Sequence, residues 1–348
     1  QRKRENQREN MKAIRVGIIG CGLASTWHLD YLTTDKRVEI VALTDPNPDN
    51  IAAALKRISP DKRSEVKTYQ VYTDMLRGAK LEAVLVLTPH KYHYEQVKAS
   101  LEHGLHVLAE KPLAVSASES AELVSMASEL KRVLTVAYQY PGKGAVKYVR
   151  EAVRSGALGE IVYFNAMLGL HWHKLTVGWR RDPRISEGGV LVDSGSHLVD
   201  LVLHLTGARV TEVFAITDHD GQEVDVFTSV LVRFGEGRTG ILSAVGGGPF
   251  LLDVTIVGKK GAITMRDLEV VTHVDEKDFV GEIGTYHERN KFSAANTPQS
   301  TLPVQEFIDA IASGDLSASN GVRAIKIGKF TEAVYKSVEI RKPVAVTE

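Results

Sequence analysis

One cysteine, Cys21, stands in 348 residues, so no disulfide can form within the chain. With no second thiolate, no cysteine cluster can build a structural zinc site, and no His-Glu-x-x-His element is present. Lone cysteine usage fits a reducing compartment. No run of 18 or more apolar residues occurs, which is what an apolar spanning helix needs, and no signal-peptide pattern precedes Met11. Charge of one sign is also missing. Lys+Arg and Asp+Glu both number 43, so no net field recruits nucleic acid or an acidic membrane surface. The first ten residues, Gln1–Asn10, contain no apolar side chain and cannot pack, so they are expected to form a disordered leader or a remnant of expression. No internal repeat and no further low-complexity tract is visible. These absences lead us to expect a cytoplasmic protein without nucleic-acid or membrane partners.

What is present is ordinary in amount and specific in order. Hydrophobic residues make up 43% and charged residues 25%, enough for two packed domains. From Ile14 to about Ala137, short apolar runs alternate with longer helical stretches. The strand candidates are Ile14–Ile19, Val38–Leu43, Ala83–Leu87, His106–Ala109 and Val133–Ala137. Helices are expected over Leu23–Leu32, Pro48–Lys56, Tyr92–His103 and Ser116–Leu130. This alternation predicts an α/β domain, residues 11–140, with a doubly wound parallel sheet. Residues 141–348 form a second domain with a different texture, its last helix free to pack back on the first. Helices are expected over Lys143–Ser155, Gly188–Leu205, Val304–Ser313 and Val322–Arg341. A strand is expected at Ile161–Leu170, and a largely antiparallel sheet from Val210 to about Val274. Asp275–Ser300 is polar and receives no assignment.

The segment Gly20-Cys-Gly22-Leu-Ala-Ser25 follows an apolar strand and opens a helix. It matches the dinucleotide fingerprint of a Rossmann fold, except that Ser25 replaces the third glycine. Gly20 permits the tight turn. Gly22, followed by Leu23 and Ala24, lets the backbone approach a pyrophosphate at the helix N-terminus. The same glycines could instead merely shape a strand-to-helix turn. Asp45 favours the cofactor reading, because it ends the second strand 20 residues after Ser25, where a ribose-binding carboxylate belongs. It would also repel a 2′-phosphate. Like unit charges ~4 Å apart at an effective dielectric of ~20 repel by about 4 kcal/mol. About a third of that favours NAD over NADP roughly tenfold. No Arg or Lys follows closely, since Pro46, Asn47 and Pro48 come next.

Two further groups carry chemistry. Glu110-Lys111-Pro112 follows the strand His106–Ala109, and ligands of such sheets bind at the carboxyl ends of the strands. An X-Pro bond can fix the direction of Lys111; otherwise it is a solvated surface charge. Asp193 and His197 are four apart, so on a helix they share a face, and Asp200 and His204 continue that stripe. The pair could serve a buried hydrogen-bond network or, with His171 and His173, hold a divalent ion; no metal is expected. A dinucleotide, a lysine and an Asp/His pair together suggest hydride transfer at a carbon bearing a hydroxyl. Histidine's unperturbed pKa of about 6.5 suits His197 to take the proton, and a cationic Lys111 stabilises developing alkoxide. In the loop before that helix, Trp172, His173, Trp179 and Arg180 could stack on and hydrogen-bond a polyol ring, or simply anchor the loop.

Together, Gly20-Cys-Gly22, Asp45, Thr88-Pro-His-Lys-Tyr-His93, Glu110-Lys-Pro112 and Gly188-Gly-Val-Leu-Val-Asp193-Ser-Gly-Ser-His197 resemble the Gfo/Idh/MocA family. The resemblance runs over nearly the whole chain from Met11. It implies an N-terminal Rossmann domain and a C-terminal α/β domain with an open, mostly antiparallel sheet that commonly forms a dimer or tetramer interface. It also implies NAD as cofactor, with NADP the lesser alternative, held by Gly20, Gly22, Leu23, Ala24, Asp45, Thr88, Pro89, His93, Glu110 and Lys111. Lys111 would contact the substrate hydroxyl and the nicotinamide ribose. His197 would be the general base, and Asp193 would hold the substrate and orient the histidine. Where the family often has Asn, this chain has His90. The expected substrate is a sugar, cyclitol or sugar derivative bearing a secondary hydroxyl. A non-catalytic NAD(P)-binding regulatory protein on the same fold is the alternative.

Overall fold

The computed structural model describes residues 13–172, 178–274, 289–292 and 298–347, with only the backbone at 273–274 and 289–292. Gln1–Asn10, His173 and most of the unassigned stretch Asp275–Ser300 lie outside the described residues. The chain divides into two compact units, Gln1–Ala137 with Leu302–Ala324, and Tyr138–Thr301 with Ile325–Glu348.

The first unit alternates β1 (Ile14–Ile19), α1 (Leu23–Leu32), β2 (Val38–Thr44), α2 (Pro48–Leu55), β3 (Lys67–Tyr69), α3 (Tyr72–Gly78), β4 (Ala83–Val86), α4 (His93–Glu102), β5 (His106–Ala109), α5 (Ala117–Glu129) and β6 (Leu134–Val136). The six strands form one sheet in the order β3-β2-β1-β4-β5-β6, parallel throughout. That is the Rossmann order, with its reversal between β1 and β4. β4 is buried at every position, as a strand covered on both faces must be. Val16, Ile18, Leu43, Leu85 and Leu108 meet in the core, each contributing about 1.5–3 kcal/mol by leaving water. Asn47 caps α2, and Ser116 with Glu119 forms a capping box on α5. These local signals place the helix starts.

Leu302–Ala324 joins this unit through chemistry that can be named. The helix Pro303–Ser313 puts Val304, Phe307 and Ile308 into the same core. Beyond it, Asn320 closes the open edge of β6: its Oδ1 accepts from the Val136 N–H at 2.6 Å, and its Nδ2 donates to the Val136 carbonyl at 3.0 Å. Ser319 accepts from the Leu134 N–H at 3.1 Å. An edge strand covered in this way offers no template for another chain.

In the second unit α6 (Gly144–Arg154) and β7 (Ile161–Gly169) come first. A π-helical turn, Leu191–Gly195, then runs directly into α7 (Ser196–Thr206). β8 (Val210–Asp218), β9 (Phe227–Phe234), β10 (Arg238–Val245), β11 (Leu251–Gly258), β12 (Gly261–Arg266), β13 (Glu269–Val274), β14 (Arg289–Phe292) and β15 (Val344–Ala345) follow. The nine strands order as β14-β13-β12-β11-β7-β10-β9-β8-β15. Only β10 with β7 is parallel among the described pairings. In β9 burial alternates residue by residue, the period-two signature of a sheet with one covered face. The other face exposes Ile216, Leu231 and Ile241.

Candidate active site

In the first unit the cofactor motif sits at the carboxyl ends of the strands. Gly20 follows β1 with φ +94°, and a Cβ there would lie 2.8 Å from the Leu87 backbone, so only glycine fits. A Cβ on Gly22 would meet nothing within 4 Å, which leaves space above the start of α1. That helix has no capping side chain and no acidic residue in its first turn. Open space at an uncapped helix N-terminus suits an anionic pyrophosphate, so these residues fit a dinucleotide. Ser25, in place of the third glycine, is buried and donates from its hydroxyl to the Gly22 carbonyl at 2.7 Å. Leu23 is exposed and Ala24 packs against the core.

Asp45 does more than sequence reasoning assigned to it. It is buried, and its Oδ2 accepts from the Cys21 N–H at 2.8 Å. Its Oδ1 accepts from the Asn47 N–H at 2.9 Å and from Asn50 Nδ2 at 3.1 Å. A carboxylate has about four acceptor positions, and three are used: one ties the glycine loop to the end of β2, and two hold the start of α2. Cys21 sits in the same knot. Burial, with Asp45 beside it, pushes its thiol up to about 12, which keeps it protonated and removes it as a nucleophile.

The turn carrying Lys111 is braced on both sides. Lys111–Pro112 is a cis peptide, and the lysine is buried. Before it, Glu110 Oε1 meets His28 Nε2 of α1 at 3.0 Å. After it, His93 Nδ1 lies 2.6 Å from the Pro112 carbonyl, while its Nε2 lies 2.7 Å from the Thr88 carbonyl. His93 is fully buried, and burial pushes its pKa down. It ties the lysine turn to the loop after β4, where Pro89 precedes a short 3-10 turn and Thr88 Oγ1 donates to Gln96 Oε1. His28 escaped sequence reasoning because its partner is 82 positions away.

In the second unit, the helix expected over Gly188–Leu205 begins three residues later, at Leu191, with the π turn; residues 188–190 are bends and a turn before it. The Gly195 N–H reaches back five residues to the Val190 carbonyl at 2.7 Å, whereas the Asp193 N–H reaches the Gly189 carbonyl at 3.0 Å. π turns inside helices recur at functional sites. Asp193 is buried, and its Oδ2 accepts from Trp172 Nε1 at 2.9 Å and from Arg180 Nε at 3.2 Å. These bonds fix the direction of the carboxylate. Trp172 is 1% exposed and packs with Val190, Val224, Val226 and Ala244, so it acts on Asp193 from the core. Trp179 and Arg180 are half-exposed, the guanidinium lying 4.5 Å from the indole centroid. His197 is half-buried, with Tyr138 and Tyr140 edge-on to its ring at centroid distances of 6.3 and 6.0 Å. Burial raises the Tyr140 pKa. The two tyrosines were not singled out from the sequence, where nothing links them to position 197. Asp200, on the same helix, is buried. Among the described residues no group of three or more His, Cys, Asp or Glu could hold a metal ion, and no helix is long and apolar enough to cross a membrane.

The chain is similar to known proteins over nearly its whole length. The model of the oxidoreductase family with an NAD-binding Rossmann fold matches residues 14–138, and that of the GFO/IDH/MocA C-terminal domain matches residues 146–264. The chain is 24% identical over 351 residues to D-glucoside 3-dehydrogenase of Escherichia coli (strain K12), covering 94% of this chain and 95% of that protein. It is 25% identical over 356 residues to myo-inositol 2-dehydrogenase of Thermotoga maritima, covering 96% and 99%. Among solved structures, levoglucosan dehydrogenase in complex with NADH and levoglucosan shares the fold at a TM-score of 0.82 and 21% identity, over 97% of this chain and all of that one. By both of its halves, the chain belongs to the GFO/IDH/MocA oxidoreductase family, with an NAD-binding Rossmann domain over residues 14–138.

Proposed function

We propose that the protein is an NAD-dependent dehydrogenase acting on a secondary hydroxyl of a sugar, cyclitol or sugar derivative. The observation that carries this is Asp193, a buried carboxylate fixed by Trp172 and Arg180 one turn before the half-buried His197. The dehydrogenase names of the curated relatives support the same reading.

Gly20, Gly22, Leu23, Ala24, Asp45, Thr88, Pro89 and Glu110 hold the dinucleotide, His93 serving from behind the loop. Bound there, nicotinamide would supply the hydride acceptor. His197 takes the hydroxyl proton, the general-base role that histidine side chains commonly fill. Lys111 supplies positive charge to the oxygen as alkoxide character develops. Asp193 places the substrate and orients the histidine, and Trp179 with Arg180 contacts the ring. The carboxylate of Asp45 favours NAD over NADP. The exposed apolar face of the large sheet, with Ile216, Leu231 and Ile241, is proposed to pair copies into a homodimer or homotetramer. A steady-state assay with NAD and a panel of aldoses, inositols and anhydrosugars tests the reading. Turnover of at least one is expected. Tight NAD binding without turnover of any would favour a regulatory protein instead.

A further inference from the structure

Asp225 lies between β8 and β9 and belongs to none of the motifs above, yet it is 3% exposed and its carboxylate accepts four hydrogen bonds. Oδ1 takes the Gly189 N–H at 2.8 Å and the Tyr335 hydroxyl at 2.7 Å. Oδ2 takes the Leu191 N–H at 3.0 Å and the Thr228 hydroxyl at 2.8 Å. The Asp225 backbone carbonyl accepts from the Val190 N–H at 2.7 Å. Three successive N–H groups, of residues 189 to 191, therefore end on one residue. These are donors that the start of a helix leaves without intrahelical partners, and a carboxylate also complements the positive end of the helix dipole.

The link to the functional residues is short. Gly189 and Val190, whose N–H groups Asp225 holds, are the residues whose carbonyls accept from the Asp193 and Gly195 N–H groups. Packing leaves no alternative placement. A Cβ on Gly189 would stand 1.9 Å from the Asp225 carbonyl oxygen, and one on Gly188 would stand 2.5 Å from the Tyr335 hydroxyl. Both glycines are thus explained by Asp225 and Tyr335 pressing against the turn. Burial and the adjacent Asp225 push the Tyr335 hydroxyl well above its usual range, so it remains a donor.

We propose that Asp225, braced by Tyr335 and Thr228, is the positioning residue that sets the π turn and thereby the directions of Asp193 and His197. This rests on the reading in which Asp193 and His197 act on the substrate. Tyr335→Phe is the gentlest probe, since it removes one of the four bonds and keeps the ring; Asp225→Asn replaces an acceptor by an NH2 facing a donor. Misplacement by about 1 Å can cost 10²-fold in rate. We expect kcat to fall roughly 10-fold in Tyr335→Phe and about 100-fold in Asp225→Asn, with NADH affinity unchanged. The His197 imidazole resonances, assigned by their loss in His197→Gln, are expected to shift in both variants. Folded Tyr335→Phe protein with native kcat and unshifted His197 resonances would overturn the proposal, whether or not Asp225→Asn folds. Melting temperatures lowered at unchanged kcat, again with unshifted resonances, would reduce Asp225 to a structural role and overturn it equally. The two readings fail separately: full activity in His197→Ala sinks the proposed function, whereas an inactive His197→Ala beside an unaffected Tyr335→Phe sinks only this inference.

Discussion

Asp45 shows how one side chain can serve two ends. Its sequence position at the end of β2 marks it for a ribose, but its carboxylate also knots Cys21, Asn47 and Asn50 together. Asp45→Asn should therefore do two things. Removing the charge relaxes the bias against NADP, by as much as tenfold if about 1.4 kcal/mol of repulsion is lost. Turning one oxygen into a donor sets it against an N–H, and a buried group left unsatisfied costs about 1–3 kcal/mol. Fluorescence titration with both cofactors, beside thermal melting, should show weaker NAD binding, a smaller NAD-to-NADP ratio and a lower melting temperature. An unchanged ratio would remove Asp45 from the ribose position. Neither the Asp45–Cys21 bond nor the His28–Glu110 contact was legible in the sequence, because each joins residues that only the folded sheet brings together.

Elements were far more legible than contacts. β1, β5 and α1 fall at the residues that apolar runs and the glycine turn assign to them, because a sheet covered on both faces leaves an unmistakable run of Val, Ile and Leu. β3 and α3 were missed. β3 has three residues, none of them fully buried, so it carries no hydrophobic run at all. The helix expected over Gly188–Leu205 was legible as a helix, but not its later start at Leu191 or its π turn, because the N–H groups of residues 189 to 191 end on Asp225, a residue distant in sequence. At this scale the loop before the turn makes a clear prediction. Trp172→Phe keeps the buried aromatic but removes the N–H on Asp193 Oδ2, and Arg180→Ala removes the second donor. Each should lower kcat/KM by roughly 10-fold, about 1.4 kcal/mol, as a lost charge-assisted bond implies. NADH affinity should stay unchanged in titrations of the same samples. Cofactor binding that weakened as much as kcat/KM would show that the loop serves the fold of the cofactor domain instead.

Across the whole molecule, buried histidines couple stability to pH. Burial pushes His93 down, and burial with Arg132 nearby does the same to His106. In the unfolded chain both return to about 6.5, so below that value the unfolded state binds more protons. The stability they represent is complete above about pH 6.5 and is lost as the pH falls toward the lower folded values. Melting temperatures should drop between about pH 7.5 and about pH 5.5, and a flat profile would contradict the downward shift of the two imidazoles. The large sheet makes a second prediction at this scale. Soluble chains rarely leave a broad apolar patch open, so light scattering at micromolar concentration should return a dimer or tetramer. Leu231→Lys together with Ile241→Lys should shift it toward monomer. A wild-type monomer would refute pairing through that face.

The division of labour between Lys111 and His197 is the claim on which the account turns. Turnover and NADH binding measured side by side in Lys111→Ala, His197→Ala and the double variant test it most directly. Loss of the general base should lower kcat by about 10²–10⁴-fold, and loss of the stabilising cation by about 10²–10³-fold. If both act on one oxygen, as proposed, the double variant should lose less than the product of the singles, with NADH affinity largely kept. Near-native turnover in His197→Ala with collapsed NADH binding would contradict the account and make His197 a structural residue.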